Sequence, residues 1–508
     1  MNLNTKEFIS ELDTLWGRLF TYNHALMKRS EDENKFGLES FTDVIDFYLT
    51  SQAQCFIKDV MLHHFGSSGM LLAARCFIEG LAIKRMYEKG KIDNLQVELL
   101  RHQVHIIEYN YYKEFDDIAD KILLPEKLEK DYDDSVKFFQ EKLAGTYSEK
   151  QISAILKTNK PFLCEPYTNF RKIIGENLGD DYAILYGLYS QAIHPSVNDF
   201  YMNEGIWDTL TGVLLLVMEE YKSLPQSKLT FNSYYNSIYT SDIAKNYEDI
   251  VRQECKILVN IGDVFCKSFN KNYTSDTLAS TSLLMGEMCT DKLLGLCEQV
   301  KSKWKIVLEL CASFYECYIT PSLHEERFML LEEHEHLQTQ RNLGEYCSVN
   351  QAYSIYKTLY PNGVNIDLFE KNFLTTCGYT IDEKGVAKSL TGIVKEFIKK
   401  FTTAKAPISL DRAMLLDYIE SQMISHANGY MWYANSGSWG DVNNVIIGAD
   451  ICVIFLLESI LTVFKIHRAI DESNQYRQII NIIRNSIKRI RALSEEKAKI
   501  LKIPGIII

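Results

Sequence analysis

Two stretches of this chain match each other at a fixed distance. The first reads Ser190-Gln191-Ala-Ile-His194 and continues to Phe200-Tyr201-Met-Asn203-Glu-Gly205-Ile-Trp207. The second reads Ser421-Gln422-Met-Ile-Ser-His426 and continues to Trp432-Tyr433-Ala-Asn435-Ser-Gly437-Ser-Trp439. From the histidine onward the offset is a constant 232, with one extra residue just before the second histidine. Trp occurs only five times in the chain, so a coincidence of His, Tyr, Asn, Gly and Trp carries weight. A fainter match joins Phe77-Ile-Glu79 to Phe314-Tyr-Glu316 at an offset of 237. Internal repetition on this scale implies two diverged copies of one unit. Copy one is placed at 1–225 and copy two at 245–470. A polar linker at 226–244 separates them, and a C-terminal segment at 471–508 follows.

The unit is helical. Only 9 prolines and 25 glycines interrupt 508 residues, too few for the frequent turns of an all-β fold. Ser67 precedes an apolar run from Met70 to Lys89, and Gly90 follows it, so both ends of a helix are marked. Further helices are expected at 95–115, 180–193 and 207–221. In copy two they are expected at 281–298, 303–318, 325–341, 411–424 and 442–466. The expected fold class is all-α: two tandem helical bundles of four to six helices each, plus a C-terminal basic amphipathic helix.

Charge restricts the partners. The net charge of −12 excludes a broad nucleic-acid coat, which needs a positive surface. Residues 473–508 carry +6, leaving the remainder near −18. In that segment Tyr476, Ile480, Ile483, Ile487 and Ile490 form a heptad seam flanked by Arg484, Lys488, Arg489 and Arg491. The seam would dock on the body, or join a second copy or a partner protein. RNA or an anionic membrane surface would suit the basic flank. Twelve scattered cysteines with no Cys-x-x-Cys pair, and no apolar leader, suggest free thiols in a reducing cytoplasm. The most apolar stretch, Val445–Ile466, contains Asp450, Glu458 and Lys465, so it reads as a buried core helix rather than a membrane span.

Candidate functional residues are charged groups inside apolar helices. Arg75 and Glu79 lie one turn apart among apolar neighbours. Burying them costs several kcal/mol (about 3–5 when one partner is missing) unless they are paired. They either form an ion pair that fixes helix register or face a cleft. Glu316 would match Glu79, and Ala312 would stand at the arginine position, which points to copy one as the active half. His194 and His426 would cap helix C-termini or move protons. Asn203-x-Gly205-x-Trp207 reads as a turn and packing anchor. Around a catalytic set of Arg75, Glu79 and His194, the binding candidates are Ser190, Gln191, Tyr201, Asn203, Glu316, Ser421, Gln422 and His426. His102, His105 and Glu108 share one helical face, and His334, Glu335 and His336 cluster, but packing or solvent exposure is the default for both sets. No metal and no cofactor is expected, and no phosphate loop, His-Glu-x-x-His or Gly-x-Ser-x-Gly occurs.

The helices Ala74-Arg75-Cys-Phe-Ile-Glu79-Gly and Leu185-Tyr186-Gly-Leu-Tyr189-Ser190-Gln-Ala-Ile-His194-Pro-Ser196 resemble an uncharacterised family of bacterial helical proteins. Its members carry an Arg-x-x-x-Glu helix and a later Tyr/Leu-Ser helix ending in His. More distantly the layout is similar to HEPN domains of bacterial toxin and antiphage systems. That resemblance implies metal-independent RNA cleavage through Arg and His separated by four to six residues, Arg holding phosphate and His moving a proton. Arg18 with His24, and Arg327 with His334, fit that spacing, but they lie outside the helices that carry the family resemblance. Two functions follow as expectations: a non-catalytic interaction or oligomerisation module in a defence or stress system, or an RNA- or nucleotide-acting protein using Arg75 and His194.

Overall fold

The order of helices follows from where the chain is broken and capped. The computed structural model describes residues 6–32, 40–63, 67–115, 126–158, 161–163, 169–193, 205–269, 272–318, 324–344, 347–374, 380–381, 384–401, 410–425, 442–470 and 474–502. The first half holds α1 (Lys6–Asp32), α2 (Phe41–Met61), α3 (Ser68–Glu88), α4 (Asn94–Glu114) and α5 (Glu126–Leu143). It continues with α6 (Glu149–Lys157), α7 (Phe170–Leu178), α8 (Asp180–Ala192) and α9 (Gly205–Glu220). After α10 (Phe231–Ile238) come α11 (Asp242–Phe269), α12 (Asn272–Leu293), α13 (Cys297–Tyr318), α14 (His324–Leu343) and α15 (Asn350–Leu359). The remainder is α16 (Ile366–Phe373), α17 (Leu390–Ile398), α18 (Leu410–Ser425), α19 (Asn443–Ile470) and α20 (Asn474–Ile500). Among the described residues only two isolated bridges, Ala144 with Tyr147 and Ile381 with Ala387, have any β character. The all-α expectation holds.

Each half contains more helices than the apolar periodicity alone predicts, several of them short. Ser67 caps α3 by accepting from the Met70 N–H, and Gly90 follows the helix with φ +67°. The expected helix at 281–298 is instead the end of α12, a turn and the start of α13. Gly295 makes that turn at φ +77°, a backbone shape that suits glycine. The stretch expected as a linker carries α10, held on α1 by Trp16 against Phe231 (centroids 5.3 Å apart) and by Asp13 accepting from the Asn232 N–H at 2.8 Å.

Two helices lie at the centre of the molecule, α3 and α13, and both are buried over most of their length. α3 packs against α2, α7, α8 and α9, while α13 packs against α12, α17, α18 and α19. α3 and α13 also touch each other. Across the divide α8 meets α14 and α4 meets α18. One apolar core runs through both halves, with a small satellite core beneath α4, α5 and α6.

The C-terminal seam faces inward. Ile480, Ile483, Ile487 and Ile490 are buried as α20 packs on α19 and α11, and the Tyr476 ring lies 6.0 Å from that of Phe464. The four isoleucines of the seam are covered by the chain's own helices, as the docking expectation has it. Lys497 completes the docking, reaching Asp450 at 2.7 Å and Glu254 at 2.5 Å. The span Asn443–Ile466 is the one described helix long and apolar enough to cross a bilayer, yet 78% of its apolar window is buried. Asp450 at its centre is bonded to Lys497 and Ser494.

Candidate functional site

The polar groups inside the central helices are gathered into three buried sets. In the first, Arg75 Nη2 donates to Glu79 Oε1 at 2.9 Å, with the two side chains 7% and 1% exposed. The guanidinium carbon stands 5.4 Å above the Tyr186 ring of α8. Burial and the neighbouring Glu79 hold the Tyr186 phenol well above its ordinary ionisation range. A cation over an aromatic face in a dry site adds to the ion pair. Arg75 Nε and Nη1, Glu79 Oε2 and Ser190 Oγ have no hydrogen-bond partner among the described residues.

The second set is built the same way on α13 and α18. Lys305 Nζ lies 3.4 Å from Glu309 Oε1, and the side chains are 2% and 1% exposed. The same oxygen accepts from Tyr418 Oη at 2.9 Å and Gln422 Nε2 at 3.1 Å. Arg75 and Glu79 stand 230 residues before Lys305 and Glu309, and Tyr186 stands 232 before Tyr418. Glu316, matched to Glu79 by sequence, is not part of this set. Glu316 is bonded to Lys388 at 2.7 Å, and the Arg327 guanidinium donates to its backbone carbonyl. Lys305 and Glu309 repeat the spacing of Arg75 and Glu79, and Ala312 takes no part in the set. Each of the two sets contains a cation, a glutamate and a tyrosine.

The third set joins the halves and was not anticipated from the sequence. Lys58 lies 2.6 Å from Asp59 and 2.5 Å from Asp291. Lys303 reaches Asp291 at 2.7 Å, and Asp59 and Glu287 at 3.2 Å each. All five side chains are fully buried. Two cations among three acids compensate one another in a medium where a lone charge would be very costly. Gly69 lets α3 approach this set: a Cβ there would come within 2.1 Å of Glu287 and 2.5 Å of the Lys303 side chain. The sequence signal was the two aspartates, 232 residues apart in α2 and α12.

The remaining candidates are dispersed. Gln191 donates to the Glu335 carbonyl at 3.0 Å and to Thr339 Oγ1 at 2.8 Å, joining α8 to α14. Ser421 Oγ donates to the Asp417 carbonyl within its own helix. His194, Tyr201, Asn203 and His426 lie outside the described residues, as does Trp439, and the side chain of Trp207 is likewise not described. Cys76 Sγ lies 3.8 Å from the Ser425 carbonyl, so the end of α18 reaches the middle of α3. Arg327 turns to Glu316, while His334 packs edge-on to Phe373, so that pair does not converge. His102 bonds Ser135 at 3.0 Å and stacks on Phe138, and burial lowers its basicity. Burial, then Glu420, raises the Glu108 carboxyl to about 7. Among the described residues no three His, Cys, Asp or Glu side chains are placed to hold a metal ion.

Comparison with protein-family models, with curated proteins and with solved structures gave no match to this chain.

Proposed function

We propose that this chain is a non-catalytic interaction module that self-associates through the outer face of α20. One observation carries the non-catalytic part. Arg75 and Glu79, on which a reaction would depend, are buried and bonded to each other beneath Tyr186. They hold α8 to α3, as Lys305 and Glu309 hold α18 to α13. A general base or phosphate ligand has to reach its substrate, and these groups are closed off.

The association surface is argued from charge. With the seam of α20 turned inward, its outer face exposes Arg477, Arg484 and Lys488 beside Ile482. The rest of the chain is strongly acidic, so a basic helix on one copy complements the body of another. On this reading the protein is a soluble cytoplasmic body that works as an oligomer, in a defence or stress setting. Light scattering across a salt series tests it. An oligomer at low salt should dissociate as salt rises, and Arg484→Glu with Lys488→Glu should abolish it. A monomer at every salt concentration sinks the self-association.

A second reading rests on a different observation. Arg75 retains two unpartnered nitrogens, Ser190 Oγ on α8 is also unpartnered, and His194 lies two residues past the end of α8 in sequence. A phosphate group would satisfy those donors, in keeping with an RNA-acting site. RNA incubated with the wild type, Arg75→Ala and His194→Ala separates the two readings. Cleavage lost in both variants favours the RNase, and an inert wild type favours the module.

A further inference from the structure

A cleft of about 320 Å³ opens between α1, α2 and the turn from α12 to α13. Its walls are mainly apolar, with Phe20, Met27 and Phe47 on one side and Leu294 and Leu296 on the other. Gln54 and Glu298 also line it, both at least nine-tenths buried. Glu298 sits in the first turn of α13, where the helix dipole favours a carboxylate. Burial outweighs that and pushes the carboxyl up to about 8. Apart from its own backbone N–H, Glu298 has no bonding partner among the described residues, and the nearest lysine, Lys301, is bonded to Glu420 instead. Gln54 Nε2 also lacks a hydrogen-bond partner.

An apolar cleft of this size with one or two convergent polar groups is the usual form of a small-ligand site. Asn23, Ser51 and the exposed His24 also line the cleft, but no ion pair joins Glu298 to a cation of the chain, so a ligand cation is the group that would hold it ionised. We propose that the cleft binds a small organic cation, a primary ammonium or amidinium group on an aromatic or aliphatic body. The charged nitrogen bonds Glu298, the body packs against Phe20, Phe47 and Met27, and an acceptor on the ligand meets the Gln54 amide. The aromatic walls favour a cation, and the methionine adapts to the shape of the body. The walls come from both halves of the chain, so an occupied cleft also ties α1 and α2 to α13.

The full-length protein is titrated with phenethylamine and, as its uncharged counterpart, 2-phenylethanol. Calorimetry follows affinity, and the Met27 methyl NMR signal locates the site. The amine is expected to bind and shift the Met27 signal, with the alcohol weaker by roughly tenfold or more, the scale of one charge-assisted hydrogen bond. Glu298→Gln should remove that preference. Should this variant fold poorly, Met27→Trp at the partly exposed rim closes the cleft and should abolish binding. Equal affinity for amine and alcohol, a Met27 signal that does not move, or binding untouched by Met27→Trp overturns the proposal. So does an absence of binding by the amine.

Discussion

The two triads differ in one side chain and in how completely they are closed. In the first half the cation is an arginine whose planar guanidinium lies under Tyr186 and keeps two nitrogens unpartnered. In the second half it is a lysine, and a tyrosine and a glutamine both donate to the same glutamate oxygen. A lysine is a compact point charge that can be neutralised by burial, whereas an arginine stays charged and offers five donors. The second triad leaves only Glu309 Oε2 without a partner among the described residues. The first leaves two arginine nitrogens and one glutamate oxygen without a partner among the described residues.

The widest contrast to break is the one the halves share. Lys303→Met strands Asp59, Asp291 and Glu287 around Lys58, and should cost about 5 kcal/mol in chemical denaturation. Next, Glu79→Leu strands an arginine that cannot lose its proton and should cost about 3–4 kcal/mol. Glu309→Leu strands a lysine that can, and should cost less, about 2 kcal/mol. Equal losses would erase the distinction between the triads. The double variant Arg75→Met with Glu79→Leu should return to within about 1 kcal/mol of wild type if the pair only holds helices together. Arg75→Lys should cost about 1 kcal/mol, while Lys305→Arg tests whether the tighter second site can admit the wider head. The smallest effect is in pH. Burial holds Glu298 near 8 in the folded state, above its ordinary carboxylate value of about 4.5. Between these values the folded chain binds the extra proton, so stability falls as pH rises through the window and is fully restored only below it. Glu298→Gln should flatten part of that slope in thermal melts across pH.

The ends of α3 and the existence of α8, α18 and α19 were legible in the sequence, because caps and long apolar runs are local signals. The pairing of Glu79 with Glu316 was not, and the reason is geometric. Glu309, which is bonded much as Glu79 is, lies seven residues before Glu316, two turns of helix, and such a slip leaves the apolar positions on nearly the same face. Hydrophobic periodicity is blind to it; only the side chains facing α18 reveal the register. Gly295 was missed because leucines on either side continue the helical pattern through the turn. The shared charge set was missed for a different cause, although its two aspartates stand 232 residues apart. Lys58, Asp59, Asp291 and Lys303 are ordinary surface residue types, and only long-range packing turns them inward.

That shared set has a consequence for how the chain is made. During synthesis the segment bearing Lys58 and Asp59 leaves the ribosome long before Asp291 and Lys303 exist. The early half must wait as an unfinished partner, with its central helix unsealed and open to chaperones. A gene cut between α10 and α11 would yield two fragments, each poorly soluble alone, that assemble when mixed.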